Sequence, residues 1–302
     1  MAITIESLRK VYGAVVAVDG VTFDVRPGEI FGMVGPNGAG KTTTIECLEG
    51  LRCPDSGRIS VLGLDPEHQA YELRERIGVQ LQESSLPDRL KVREIADLFS
   101  AFYRRPTDWK PLLDQLGLTE KLNAPFGKLS GGQKQRLFIA LALINNPEIV
   151  FLDELTTGLD PQARRAMWEL VKQIRDRGKT VFLTTHYMEE AEELCDRVAI
   201  IDRGKIVALD TPRALITSLG AETRVVFNAD PKFEEAVFRA IDGVTRVEHS
   251  GGKVVIFGRG EGLVVRVVIA LDSAKVRFRD LRTEQPSLED VFLTLTGKEM
   301  RD

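Results

Sequence analysis

The sequence is short of several features that define particular classes of protein. Its 302 residues include only three cysteines, too few and too scattered for a disulfide framework or a thiolate metal cage, and this usage suits a reducing compartment. An excess of positive charge is also missing, because 41 Lys and Arg stand against 45 Asp and Glu and the net charge is -4. A chain without an overall positive field is not expected to bind nucleic acid.

Long hydrophobic runs are absent as well. No window supplies the roughly 18 apolar residues of a transmembrane helix, and residues 1–10 lack the apolar core of a signal peptide. The two strongest apolar runs, residues 137–144 and 149–152, are separated by Asn-Asn-Pro at 145–147, which predicts a helix, a break and a buried strand. We therefore expect the isolated chain to be cytoplasmic.

The order of elements predicts two domains. Residues 1–219 begin with β-forming segments, in which Asp19-Gly20 is interpreted as a turn, and continue with alternating strands and helices, the pattern of an α/β fold with buried parallel strands. Residues 220–302 follow the order β-α-β-β-α-β and end with a helix from Ser287, which predicts a small ferredoxin-like α+β accessory domain.

Helical periodicity interrupts the α/β order at about residues 84–145. Three groups of apolar residues recur there at the i, i+3, i+4, i+7 spacing of an amphipathic helix. The groups are Ile95, Leu98, Phe99 and Phe102; Trp109, Leu112, Leu113 and Leu116; and Leu137, Ala140, Leu141 and Ile144. The first domain is therefore predicted to carry an inserted helical subdomain beside its antiparallel β-rich start.

A phosphate-binding loop is predicted between the strand at residues 30–34 and a helix expected from Thr42. The segment Gly35-Pro36-Asn37-Gly38-Ala39-Gly40-Lys41-Thr42 fits the pattern G-x-x-x-x-G-K-[ST]. Glycines let backbone N–H groups converge on phosphate oxygens, the helix N-terminus adds a favourable dipole, Lys41 can reach the β- and γ-phosphates, and the Thr42 hydroxyl can bind Mg²⁺. The pattern indicates a P-loop core that binds a nucleoside triphosphate.

Two acidic residues, Asp153 and Glu154, follow the strand at 149–152 at the edge where open α/β sheets bind ligands. Because side chains alternate along a strand, we expect Asp153 to face Mg²⁺ and Glu154 to face a water in line with the γ-phosphorus, as a general base. The predicted neighbouring strand ends at Thr184-Thr185-His186. His186 is therefore expected on the same edge, within reach of the γ-phosphate.

A second anion site is predicted at the start of the helix that follows Leu129. Ser130 is a good N-cap, and Ser130-Gly131-Gly132-Gln133 places a hydroxyl and free N–H groups at that helix N-terminus. One chain with two phosphate sites needs either a second nucleotide or a second copy of itself. A head-to-tail dimer, with the phosphate loop of one copy facing Ser130 of the other, uses both sites with closed twofold symmetry.

Over about the first 215 residues, these motifs in this order resemble the ATP-binding subunit of an ABC transporter. Gly35 to Thr43 resembles the Walker A loop, residues 149–154 the Walker B strand with its catalytic glutamate, and residues 129–133 the signature motif. Leu155 departs from the pattern, since the family usually has proline there. The resemblance implies an ATP hydrolase of the P-loop NTPase fold that uses ATP and Mg²⁺.

Further positions match single motifs of the family. Asp160 resembles the D-loop aspartate, His186 the switch histidine and Tyr12 the aromatic residue that stacks on adenine. Gln82 resembles the Q-loop glutamine, although Gln80 is close enough to compete for that assignment.

The resemblance assigns roles to these residues. Mg²⁺ would be held by Thr42, Gln82 and Asp153, and the catalytic group would be Lys41, Gln82, Glu154 and His186. The nucleotide would contact Tyr12, Gly35, Pro36, Asn37, Gly38, Ala39, Gly40, Lys41, Thr42, Thr43, Ser130, Gly131, Gly132, Gln133 and Asp160. The implied partners are a second copy of the chain and a transmembrane permease, which would hold the protein at the cytoplasmic face of the membrane.

The C-terminal extension points to a class of solute. Its segment from Pro286 to Phe292 is similar to that of bacterial ATPase subunits of drug- and antibiotic-export type. Export of a lipid, a polysaccharide or an ion stays open. Two interpretations outside transport also stay open: a soluble ATPase acting on nucleic acid or ribosomes, and a small-molecule kinase, which would leave Ser130 to Gln133 unexplained.

Overall fold

The computed structural model describes residues 1–80, 85–218, 222–229, 236–260, 262–284 and 286–297. Two compact units divide the chain: Met1–Pro212 with the described residues from Leu295, and Arg213–Thr294. The boundary predicted between residues 219 and 220 lies outside the described residues and stays a prediction. The division into units comes earlier, after Pro212.

The first unit alternates strands and helices. Its strands are β1 (Ile3–Tyr12), β2 (Val15–Val25), β3 (Ile30–Val34), β4 (Ser56–Val61), β5 (Ile77–Gln80), β6 (Ile149–Asp153), β7 (Thr180–Thr185), β8 (Arg197–Asp202) and β9 (Lys205–Asp210). Its helices are α1 (Lys41–Leu48), α2 (Ala70–Arg74), α3 (Val92–Ser100), α4 (Trp109–Gln115), α5 (Gly131–Leu143), α6 (Pro161–Asp176) and α7 (Met188–Leu194), with 3₁₀ turns at Thr119–Lys121 and Phe126–Lys128.

A six-stranded sheet in the order β5-β6-β7-β3-β8-β9 forms the centre of the first unit. All neighbours pair in parallel except β8 and β9, which pair antiparallel. Every residue of β3, β6 and β7 is buried, as expected for parallel strands covered on both faces. Because these three strands are parallel neighbours, their carboxyl ends meet at one edge, where the predicted site residues follow.

A three-stranded antiparallel sheet, in the order β2-β1-β4, packs beside the central sheet. Its Phe23 stacks on Phe31 of β3 with ring centroids 5.0 Å apart, so the two sheets share one hydrophobic core. The prediction of a turn at Asp19-Gly20 is wrong, because both residues lie inside β2. The register of β2 against β1 shifts near that point, and Asp19 N donates instead to Gly204 O at 2.8 Å.

The helices α3, α4 and α5 lie where three amphipathic helices are predicted, but Phe102, assigned to the first apolar face, lies beyond the end of α3 and is exposed. The three helices bury a separate core, which includes Ile95, Leu113, Leu137 and Leu141, apart from the core under the sheets. The predicted limits of the helical subdomain, 84–145, stay a prediction, since residue 84 is outside the described set. None of the helices in the described residues is long and apolar enough to cross a membrane.

The described residues of the second unit form an antiparallel sheet. After α8 (Pro212–Ser218), the elements are β10 (Thr223–Ala229), α9 (Ala236–Arg239), β11 (Val244–Ser250), β12 (Lys253–Gly258), α10 (Leu263–Ser273), β13 (Phe278–Glu284) and α11 (Leu288–Thr296). The sheet order β11-β12-β10-β13 is that of a split β-α-β fold, so the ferredoxin-like prediction is confirmed. The predicted cap of the last helix is also present, since Ser287 N donates to Asp290 Oδ2 at 2.9 Å.

Candidate nucleotide site

The loop between β3 and α1 is held against two neighbouring segments at glycine positions. A Cβ atom at Gly35 would lie 2.2 Å from Ile201 O, and one at Gly40 would lie 2.4 Å from Ala17 O. Gly40 also has a φ of +108°, which side chains rarely adopt. The loop therefore passes so close to β8 and β2 that only glycine fits at these two positions, as the G-x-x-x-x-G-K-[ST] pattern requires.

Lys41 begins α1 and folds back over this loop. Its Nζ donates to Gly35 O at 2.8 Å and to Pro36 O at 3.2 Å, and its side chain is only 4% exposed. Burial lowers the pKa of Lys41 despite the nearby carboxylate of Glu154. Phosphate oxygens that replaced the two carbonyls would favour the charged ammonium.

Asp153 ends β6 and meets the hydroxyls of two threonines. The Thr184 hydroxyl donates to Asp153 Oδ1, since Asp153 and Thr184 are paired in register between β6 and β7. The Thr42 hydroxyl, from the first turn of α1, lies beside the same carboxyl group and also lowers its pKa. Burial raises the pKa of Asp153, and neighbouring Glu154 raises it further, whereas the hydrogen bond from Thr184 lowers it.

Glu154 follows β6 with a left-handed backbone, φ +50°. Its N–H donates to Thr184 O at 3.1 Å, and its carboxylate lies between a lysine and a histidine: Oε1 is 3.4 Å from Lys41 Nζ and Oε2 is 3.5 Å from His186 Nδ1. The side-chain direction predicted for Glu154 from strand alternation does not apply, because β6 ends at Asp153. The left-handed backbone at Glu154 and the contact with Lys41 determine the direction of its side chain instead.

His186 lies on the predicted edge, immediately after β7. Its Nδ1 is buried and has no hydrogen-bond partner among the described residues, and the 3.5 Å separation from Glu154 is long for a hydrogen bond. The imidazole ring packs on Tyr187, with ring centroids 4.1 Å apart. A ligand oxygen would give this buried ring nitrogen, beside the phosphate loop, the hydrogen-bond partner that it lacks.

Ser130 and Asp160 each cap a helix at the surface. Ser130 Oγ accepts from Gln133 N at 3.3 Å, and Gln133 Oε1 accepts from Ser130 N at 2.9 Å, so the predicted N-cap of α5 is confirmed as a capping box. Asp160 Oδ1 accepts from Ala163 N at 2.9 Å and caps α6. The two helix starts are neighbours, because a Cβ at Gly132 would lie 3.9 Å from Ala163 Cβ.

The remaining predicted site residues lie elsewhere or outside the described set. Tyr12 ends β1, is 38% exposed, and has the cations of Lys10 and Arg52 at 5.7 and 5.3 Å from its ring centroid. Gln82 lies outside the described residues, so its assignment stays a prediction. Gln80, its competitor, is the buried last residue of β5.

Sequence reasoning did not single out the role of Thr184, which hydrogen-bonds both acidic residues of the site. The signal was available, because Thr184 lies at the end of the strand predicted to be a parallel neighbour of β6. Tyr187, which packs on His186, belongs to no sequence motif that would have predicted its place in the site.

The residues present fit Mg²⁺ and a nucleoside triphosphate. A lysine, glycine-bounded backbone and a helix N-terminus suit phosphate oxygens, and the Thr42 hydroxyl with the Asp153 carboxylate suits Mg²⁺, which prefers oxygen ligands. The described residues contain no group of three or more His, Cys, Asp or Glu that could hold a metal alone. Mg²⁺ would therefore take its other ligands from phosphate and water, as is usual for this ion.

Comparisons with known proteins agree with this geometry. The ABC transporter family model matches residues 18–157. The Nod factor export ATP-binding protein I of Paraburkholderia xenovorans is 42% identical over 100% of this chain and 99% of the relative, and that of Ralstonia nicotianae is 39% identical over 99% and 95%.

Two solved structures share the fold over most of this chain. An ATP-binding subunit of an ABC transporter superposes with a TM-score of 0.66 and 29% identity, covering 73% of this chain and 94% of that one. A dimeric post-hydrolysis ATP-binding cassette bound to ADP and Pi superposes with a TM-score of 0.63 and 25% identity, covering 69% and 98%.

The chain belongs to the ABC transporter family as an ATP-binding subunit. Its reaction is ATP hydrolysis coupled to transport, and its cofactors are ATP and Mg²⁺. The kinase interpretation is therefore wrong, and the match over nearly the whole length of transporter subunits also argues against a soluble ATPase acting on nucleic acid or ribosomes.

Proposed function

We propose that two copies of this chain enclose ATP head to tail and drive a separate transmembrane permease that exports a solute. The observation that carries the dimer is the contrast between two surfaces of one chain. Lys41, Glu154 and His186 surround the phosphate loop, whereas the capped helix starts at Ser130 and Asp160 are exposed neighbours of each other. A second copy would place its own phosphate loop against these helix starts.

Within one copy, the phosphate loop would bind the nucleotide. The backbone N–H groups of Gly38 to Thr43 and the Lys41 ammonium would hold the β- and γ-phosphates, and Tyr12 would stack on adenine. Thr42, Asp153 and Gln82 would hold Mg²⁺, which neutralises charge on the phosphate oxygens when bound. Lys41 would exchange the carbonyls of Gly35 and Pro36 for phosphate oxygens.

Glu154 would act as the general base. Its Oε1 and Oε2 lie beside Lys41 and His186, and the Lys41 contact would weaken once phosphate competes for the ammonium. The freed carboxylate would take a proton from the attacking water, and His186 would donate a hydrogen bond toward the γ-phosphate. Ser130, Gly131, Gly132 and Gln133 of the second copy, with its Asp160, would complete the site.

Complementation between two inactive variants tests the shared site. Lys41→Ala damages the phosphate loop, and Ser130→Arg places a large cation at the capped helix start. Each variant alone should be inactive, whereas a mixed dimer would contain one site built from two intact halves. An equimolar mixture should therefore recover about a quarter of wild-type hydrolysis by random pairing. A mixture that stays inactive would contradict the shared site.

The permease would hold the chain at the cytoplasmic face of the membrane. Support comes from a cleft of about 720 Å³ between the central sheet and the inserted helices. Three large apolar side chains on its rim are exposed: Leu51 at 50%, Tyr71 at 87% and Phe102 at 65%. Exposed apolar patches of this kind are typical of protein interaction sites.

Two candidate solutes follow from different observations. The C-terminal segment from Pro286 to Phe292 favours a drug or antibiotic, whereas the relatives of nearly equal length are named for Nod factor export. Inside-out vesicles that contain the chain with its permease should accumulate the true solute only with ATP and only with an intact Glu154. Parallel uptake of a labelled drug and of Nod factor distinguishes the two.

A further inference from the structure

Two side chains that the site does not otherwise use connect the helix beginning at Asp160 with the imidazole of His186. Arg164 N donates to Asp160 O at 2.9 Å, one turn into α6. The Arg164 guanidinium lies over the Tyr187 ring, 4.2 Å from its centroid, and the other ring partner of Tyr187 is His186 at 4.1 Å. Helix start, cation and two aromatic rings are thus in continuous contact.

This contact matters because little else orients the imidazole. His186 Nδ1 has no hydrogen-bond partner among the described residues, and its nearest charged group, Glu154, is 3.5 Å away. The Tyr187 backbone is held by its N–H, which donates to Thr185 Oγ1 at 2.9 Å, and the Arg164 guanidinium lies over its ring. The imidazole therefore packs against a ring that Arg164 also contacts.

We propose that Arg164 and Tyr187 are positioning residues that orient His186 and couple its position to the helix starting at Asp160. The proposal rests on the proposed role of His186 in hydrolysis and of Asp160 at the surface facing a second copy. A shift of the Asp160 segment would move Arg164 through the backbone hydrogen bond, and the stacked rings would transmit the shift to His186.

A second contact keeps α6 and α7 together when this stack is altered. Trp168 Nε1 donates to Glu190 Oε1 at 3.0 Å, and both side chains are buried. Substitution of Tyr187 should therefore leave the two helices packed. The fold of each variant can be checked by its melting temperature before its activity is interpreted.

The nucleotide-free protein offers a readout that does not depend on catalysis. The chain has three histidines, and their imidazole proton resonances can be assigned with His68→Gln and His249→Gln. In Tyr187→Ala the His186 resonance should move toward that of an unstacked histidine such as His68, whose side chain is 74% exposed. Tyr187→Phe should leave the resonance near its wild-type position.

Steady-state kinetics then separate positioning from binding. Tyr187→Ala should lower kcat by up to about a hundredfold with little change in KM, because a misplaced catalytic group costs rate rather than affinity. Tyr187→Phe should restore kcat to within about threefold of wild type, since the ring is kept. Arg164→Gln should lower kcat by roughly three- to thirtyfold, the range of a cation–π contact, whereas Arg165→Gln, an exposed neighbour on the same helix, should not.

Three outcomes would overturn the proposal: a His186 resonance that does not respond to Tyr187→Ala, a Tyr187→Phe variant as impaired as Tyr187→Ala, or equal effects of Arg164→Gln and Arg165→Gln. A resonance that shifts while His186→Ala itself hydrolyses ATP normally would have a different meaning. It would confirm the stack and remove His186 from the reaction, so that only the proposed function would fail.

Discussion

Lys41 Nζ lies 3.4 Å from Glu154 Oε1, and the two side chains are only 4% and 5% exposed. The negative charge of Glu154, the proposed general base, is therefore paired with Lys41, the proposed phosphate-binding residue, while no phosphate competes for the lysine. Their proximity follows from the central sheet, in which β7 separates β3, which precedes the Lys41 loop, from β6, which precedes Glu154. Because charges buried together depend on each other, the pair can be tested as a unit.

The stability of the nucleotide-free protein should reveal this pairing. Lys41→Met leaves the Glu154 carboxylate buried without its cation and should lower the free energy of unfolding by about 3 kcal/mol. Adding Glu154→Gln to Lys41→Met removes the unpaired negative charge and should restore most of the lost free energy of unfolding. Urea unfolding of the two single variants and the double variant measures the coupling, and additive effects would contradict a stabilising pair.

Hydrolysis should depend on Glu154 far more than ATP binding does. Glu154→Gln keeps the size of the side chain but removes the proton acceptor, so turnover should fall by about 10²- to 10⁴-fold. Binding of ATP and ATP-dependent dimerisation should be retained, since Lys41 is then free of its carboxylate partner. Equilibrium dialysis and single-turnover assays separate the two effects, and near-normal turnover would exclude Glu154 as the base.

The two ends of the phosphate loop should differ from its middle in their tolerance of a methyl group. Gly35→Ala places Cβ 2.2 Å from Ile201 O and should lower stability by several kcal/mol, whereas a Cβ at Gly38 meets nothing within 4 Å. Gly38→Ala should cost only about 1–2 kcal/mol, because its φ is positive. Thermal unfolding of both variants without nucleotide compares them, and equal losses would contradict the close approach to β8.

Stability should decrease as the pH rises from about 4.5 to about 9 because of Glu49, which follows α1. Burial, with smaller contributions from Asp153 and Glu46, raises the pKa of Glu49 from its ordinary value of 4.5 to about 9. The folded state thus binds this proton more tightly than the unfolded state does. The resulting stabilisation is complete below about pH 4.5 and is lost as the pH rises toward about 9, by on the order of 1 kcal/mol per pH unit.

A substitution at Glu49 separates its contribution to the pH dependence of stability from the contributions of other titrating groups. Glu49→Gln removes the titrating proton, so its stability relative to wild type should increase as the pH rises from about 4.5 to about 9. Glu75→Gln is the matched control, since Glu75 lines the same cleft but accepts a hydrogen bond from Arg104 N. Melting temperatures across this pH range check the slope, and parallel wild-type and Glu49→Gln curves would contradict it.

Local patterns predicted most of the elements near the site. The apolar runs that end near Asp153 and Thr184 form buried parallel strands, as predicted. The cap at Ser130 was also predictable, because Ser130 and Gln133 are three residues apart and hydrogen-bond each other. Asp19-Gly20 forms no turn, because pairing with β1 and the hydrogen bond to Gly204 O, in the turn between β8 and β9, keep β2 continuous through a sequence that favours a turn.

By itself the sequence determined the phosphate loop, the buried strands and the helix caps, because these depend on residues a few positions apart. Only the tertiary structure decided that Glu154 meets Lys41, that Thr184 bonds Asp153, and that Arg164 lies on Tyr187. The sheet order β6-β7-β3 and the packing of α6 beside α7 set those distances. Such pairings join segments far apart in the chain, so no local pattern of residues contains them.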